Sequence, residues 1–166
     1  VYEGADAIML SGETSIGKYP VECVKFLKTI SKRTEKFKTL EYEKELITNS
    51  DWESIAVTAK DLSESINADG IIAVTRTGST AGYISNAKPK DIPIYTFTNN
   101  INTLNQLSLV GSVIPFYLKR LNNHKKTLEH VRDVLKPLHR KKKLKFVMVS
   151  GIFSEKHSEA IQIINF

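Results

Sequence analysis

Two hydrophobic periods alternate along most of this chain. Ile71, Ile72, Ala73, Val74 and Thr75 form an unbroken, largely β-branched run, the pattern of a strand buried on both faces of a parallel sheet. Residues 92–97 and 113–118 predict two further strands, and Pro115 places the later one at an edge or a strand end. Residues 145–149 predict a fourth, and residues 160–166 a fifth, close enough behind it for an antiparallel hairpin. Helical spacing fills the intervals. Ile55, Ala59, Leu62 and Ile66 make a stripe introduced by a capping box, Ser50 with Glu53. Residues 79–87 predict a short helix stopped by Pro89, residues 101–109 another, and residues 124–138 a third. In that third helix Leu128, Val131, Val134 or Leu135, and Leu138 share a face, and Pro137 disturbs the last turn. This alternation predicts an α/β fold: an open, mainly parallel five-stranded sheet with helices on both faces.

The first 45 residues read differently. Ala7, Ile8, Met9 and Leu10 form a short apolar run ending in small residues, which suits a buried strand entering a turn. Residues 13–18 predict a loop. Pro20 stands where a helix accepts proline, Glu22 complements its dipole, and Val21, Val24, Leu27 and Ile30 fall on one face. From residue 32 to residue 44 the chain is strongly charged and its apolar positions fix no face, which predicts a frayed helix or linker. The expected division is therefore 1–45 and 46–166. A start at Val1, with no basic and apolar leader, reads as a fragment or processed product.

Composition changes this picture little. Hydrophobic residues make up 41% and charged residues 25%, which is ordinary for a globular protein. No apolar run approaches the roughly 20 residues of a membrane helix, so no membrane partner is expected. A single cysteine, Cys23, cannot form an internal disulfide; a buried apolar role and a reducing, cytoplasmic location follow. The net charge of +6 is concentrated in Arg140, Lys141, Lys142, Lys143 and Lys145. That run follows a helix C-terminus, where positive charge is favoured, and has no interleaved aromatics, so a solvated surface is expected and nucleic acid is not. His124, His130 and His139 are too widely spaced for a standard zinc site. Trp52 is read as a packing residue.

Two segments carry candidate chemistry. Gly12 to Tyr19 nearly matches the phosphate-binding pattern G-x-x-x-x-G-K-[ST], but Tyr19 cannot offer a small hydroxyl to magnesium, so that motif is rejected. Thr75, Arg76, Thr77, Gly78, Ser79 and Thr80 lie between a parallel strand and a helix. Helix N-terminal amides, hydroxyls and a guanidinium can hold a phosphate there, and Gly78 allows close approach to the backbone. The alternative is a capped turn that binds only water.

Gly4-Ala5-Asp6-Ala7-Ile8-Met9-Leu10-Ser11-Gly12-Glu13-Thr14, then Gly17-Lys18-Tyr19-Pro20 and Glu22, resembles the signature that closes the (β/α)8 barrel of pyruvate kinases. The resemblance continues through residues 75–81, Lys88-Pro89, residues 92–98, Leu107-Ser108-Leu109 and Val113-Ile114-Pro115, and fades after about Leu121. It implies a leftover barrel strand and connecting helix (residues 1–45) followed by the family's C-terminal, allosteric α/β domain (residues 46–166). It also implies an enzyme that transfers phosphate from phosphoenolpyruvate to ADP with magnesium and potassium, in the cytoplasm, as a homotetramer. Those ions serve the intact enzyme and none is expected in this piece, which should be inactive alone. Ser11 matches a serine linked to proton delivery to the enolate of pyruvate; read from the residues, it is equally a small residue at a tight turn. The matching residues at 75–80 hold an effector phosphate in many members. Ahead of the last strand, residues 150–159 offer one early glycine, with Glu155 and Glu159 opposing a second phosphate and Lys156 and His157 compensating. A hexose monophosphate or AMP is therefore expected over a bisphosphate. The expected partners are the remainder of the barrel and other subunits; the alternative role is a purely structural interface domain without ligand.

Overall fold

The computed structural model describes residues 1–37, 48–119, 124–150 and 160–166, and the chain divides into two compact units, Val1–Glu45 and Leu46–Phe166. In the first unit α1 (Gly12–Ser15) and α2 (Pro20–Thr34) are the regular elements among the described residues. The four residues from Ala7 to Leu10 join no strand ladder, as an isolated strand has no partner for its amides and carbonyls. Where a loop was expected, residues 12–15 form a helical turn. The Ser11 carbonyl accepts from the amides of Thr14 and Ser15, and the Ser11 amide donates to the Glu13 carboxylate at 3.0 Å. The amides of Glu13 and Ser11 hold the Glu13 carboxyl below its usual range. A side chain on Gly17 would collide with the Glu13 carbonyl, so this glycine serves the tight return of the chain. Helix α2 starts at Pro20 as expected, but it buries no residue: Val21, Val24, Phe26 and Ile30 are exposed, and Cys23 is half-buried. Of the expected core face, Val21, Val24 and Ile30 are therefore exposed and Leu27 is half-buried.

The second unit is an α/β domain. Its elements are α3 (Asp51–Ser65), β1 (Gly70–Val74), α4 (Ser79–Asn86), β2 (Ile94–Thr98), α5 (Ile101–Leu107), β3 (Val113–Tyr117), α6 (His124–Leu135), β4 (Lys145–Ser150) and β5 (Ala160–Asn165). Pro137 ends α6 early, and residues 136–138 tighten into a 3-10 turn. The strands form one sheet in the order β3-β2-β1-β4-β5. The first four run parallel, and β5 pairs antiparallel with β4, with Phe146 opposite Ile164. Pro115 sits in the edge strand β3, where its missing donor costs no ladder bond between central strands.

Strand alternation sends side chains into two cores. Ile72, Val74, Tyr95, Phe97, Phe146 and Met148 meet Val131 and Leu135 of α6 on one face. Ile71, Ala73, Ile94, Val147 and Val149 meet Ala56, Ala59, Ala81, Ile84 and Leu107 of α3, α4 and α5 on the other. Helices therefore cover both faces, as the unbroken apolar strands require. The Ser50 hydroxyl caps α3 through the Glu53 amide at 3.3 Å, while the Glu53 carboxylate takes the Asn49 amide at 2.7 Å, one residue earlier than the simple capping box. Trp52, read as a packing residue, is 40% exposed on the first turn of α3. No helix among the described residues is long and apolar enough to cross a membrane.

Candidate functional site: a hydroxyl-lined turn at the centre of the sheet

The chain adds β2 and β3 on one side of β1, then crosses to place β4 on the other. Strand order therefore reverses beside β1, and the carboxyl end of such a strand is the place where open α/β sheets bind ligands. The turn leaving β1 there contains Arg76, Thr77 and Gly78, with Thr75 before it and Ser79 and Thr80 opening α4. All six predicted residues are thus brought together at one point.

Each is positioned by a specific bond. Thr75 is buried; its amide donates to the Phe97 carbonyl at 3.0 Å and its hydroxyl accepts from the Gly78 amide at 3.0 Å. Gly78 has φ +90°, a left-handed conformation that a β-carbon would strain. A β-carbon there would also lie 3.3 Å from Thr103 Cγ2 and 3.4 Å from Leu107 Cδ2. The hydroxyls of Thr77 and Ser79 lie 3.0 Å apart, and both side chains are exposed with that of Arg76. The first-turn amides of α4, including Thr80 and Ala81, have no acceptor within the helix, as at any helix N-terminus. The arrangement offers donors and one cation to an anion.

Sequence reasoning missed two residues behind the turn. Thr103, on α5, donates its hydroxyl to the Arg76 carbonyl at 3.0 Å. Asn100 caps α5, its side-chain oxygen accepting from the amides of Asn102 and Thr103 at 2.9 and 3.2 Å. Asn100, ahead of the apolar Ile101, was a readable helix-start signal. Nothing local marks the reach of Thr103 to a residue 27 positions away.

Residues 151–159, the loop expected to face this turn, lie outside the described residues, and so do Lys156 and His157. Ser11 lies in the first unit, exposed at the N-terminus of α1. A separate cavity of about 340 Å³ opens at the amino end of the sheet, lined among others by Glu64, Asp69, Lys90 and Lys141. Two of its three acids are already engaged: Glu64 accepts from the Lys90 amide at 3.0 Å, and Asp69 pairs with Lys141 at 2.6 Å, while Asp91 lines it as well. We therefore place the candidate site at the turn after β1. Lys141 is exposed, as expected of the basic run, and in addition pairs with Asp69.

A family model described as "Pyruvate kinase, alpha/beta domain" matches residues 53–164. The chain belongs to the pyruvate kinase family. It is 34% identical over 139 residues to Pyruvate kinase 2 of Synechocystis sp., covering 84% of this chain and 23% of that protein. It is 37% identical over 133 residues to the pyruvate kinase of Thermotoga maritima, covering 78% of this chain and 28% of that protein. The solved structure of a pyruvate kinase from Cryptosporidium parvum superimposes with a TM-score of 0.81 at 21% identity, over 95% of this chain and 32% of that one. This pyruvate kinase chain thus spans about a quarter of the length of the curated relatives it matches. Among the described residues no three His, Cys, Asp or Glu side chains converge as a metal site.

Proposed function

We propose that this chain is the C-terminal regulatory and oligomerisation part of a cytoplasmic pyruvate kinase, a homotetrameric enzyme that transfers phosphate from phosphoenolpyruvate to ADP. Residues 1–45 supply the end of its catalytic barrel, where Ser11 takes part in proton delivery, and the remaining catalytic groups and metal ions belong to the rest of the enzyme. Residues 46–166 bind the phosphate of a monophosphorylated effector, a hexose phosphate or AMP, on Thr75, Arg76, Thr77, Gly78, Ser79 and Thr80. The observation that carries this reading is the position of that turn. First-turn amides of α4, two exposed hydroxyls and Arg76 stand at the one place where strand order reverses beside the central strand.

The test is thermal melting of the chain titrated with hexose phosphates, AMP and inorganic phosphate. A ligand selective for the folded state raises stability by about 2.7 kcal/mol at a hundredfold excess over its Kd. Arg76→Ala should remove most of the shift, and no shift with any of the three would overturn the effector reading. A phosphate-transfer assay on the chain alone should be blank; turnover would overturn the assignment of catalysis to the rest of the enzyme.

A second reading has its own support. Thr75 already accepts the Gly78 amide, and the hydroxyls of Thr77 and Ser79 already pair, so several polar groups of the turn are satisfied without ligand. A structural interface domain would show no ligand shift, together with concentration-dependent self-association in sedimentation.

A further inference from the structure

We infer that Thr103 is the positioning residue of the phosphate turn: its hydroxyl, bonded to the Arg76 carbonyl, aims the Thr77 amide at the anion. The inference rests on the phosphate reading above, which assigned the turn but gave α5 no part in it. Thr103 is 5% exposed and sits in the first turn of α5, held there by the Asn100 cap. Its hydroxyl donates to the Arg76 carbonyl at 3.0 Å, a bond between elements that are not neighbours in sequence. No peptide bond among the described residues is cis, so the Arg76–Thr77 unit carries its N–H on the side opposite its C=O. Tethering the carbonyl to α5 therefore turns the Thr77 amide away from α5, to the exposed side of the turn.

Without that tether the peptide can rotate and offer carbonyl oxygen, an acceptor, where an anion needs a donor. The methyl group has a separate task. Thr103 Cγ2 is the nearest atom to the space a β-carbon on Gly78 would fill, at 3.3 Å, so it packs against the glycine that opens α4. Hydroxyl and methyl together fix consecutive parts of the turn from one side chain. Serine keeps the first task and valine the second, which separates positioning from packing.

The experiment compares the wild-type chain with Thr103→Ser and Thr103→Val, using inorganic phosphate and AMP as probes in calorimetric titrations. It also measures the backbone order parameter of the Thr77 amide by NMR relaxation. Thr103→Ser should keep wild-type affinity. Thr103→Val should bind about five- to tenfold more weakly, the equivalent of one hydrogen bond, with a lowered Thr77 order parameter. Binding by Thr103→Val equal to wild type would overturn the inference. If wild type binds neither probe, the effector reading fails by itself. The order parameter then decides the positioning role: unchanged in Thr103→Val refutes it, lowered only in that variant sustains it.

Discussion

Gly70 opens β1 against the ring of Tyr95. A β-carbon there would stand 2.6 Å from Tyr95 Cε2 and 3.1 Å from the Pro93 carbonyl. That ring cannot retreat, because it packs edge-on against Phe146 and its hydroxyl lies 3.1 Å from His139 Nε2. Gly70→Ala should therefore destabilise the domain by about 1–3 kcal/mol through overpacking, read as a lower urea midpoint. Thr96 points the other way. It is fully buried in β2, and its hydroxyl has no hydrogen-bond partner among the described residues. Thr96→Val removes an unpaired polar group at constant shape, so it should leave stability unchanged or raise it by about 1 kcal/mol in the same measurement.

At the scale of elements, Asp69 clamps the turn between α3 and β1 to the start of β4. Its carboxylate accepts from Lys141 Nζ at 2.6 Å and from the Lys145 amide at 3.0 Å, and its own amide donates to the Lys145 carbonyl at 2.7 Å. Burial pushes the Asp69 carboxyl up, but the hydrogen bonds from Lys141 and Lys145 and the charges of Lys141 and His139 outweigh it and hold it below the usual range. A carboxylate with a depressed folded pKa stabilises the fold above its unfolded pKa of about 4, and that contribution is lost as pH falls through the folded value. Asp69→Asn should thus cost about 1–3 kcal/mol at neutral pH. Urea midpoints of wild type and variant should converge as pH is lowered from about 5 toward 3; a gap that stays constant would show that the ionised clamp contributes nothing. The elements it joins were legible in the sequence, since β1 and α3 announce themselves by apolar period and a capping serine. The clamp was not, because its partners lie 72 and 76 residues away and no local pattern links them. The candidate site divides in the same way. Hydroxyls, glycine and arginine between a strand and a helix marked the turn, while strand order and the Thr103 tether exist only once the sheet is assembled. Trp52 and α2 misled because helical spacing shows which residues share a face, not whether anything covers it.

For the whole molecule, the distribution of burial separates the two units. Every buried apolar side chain among the described residues falls between Ala56 and Val149, so the first unit adds none to the core. That first unit instead exposes Met9 at 86%, Ile16 at 91% and Phe26 at 69%, beside Val21, Val24 and Ile30. We propose that the remainder of the barrel covers these side chains in the intact enzyme. Two outcomes are expected when residues 1–45 are deleted. The piece 46–166 should unfold cooperatively with the melting temperature of the full chain, because both cores stay whole. Fluorescence of a hydrophobic dye such as ANS should be strong with the full chain and weak with 46–166, because the exposed apolar face leaves with the deleted residues. A large fall in melting temperature would mean that the first unit supports the sheet after all. Equal dye binding by both chains would place the sticky surface on the α/β domain itself.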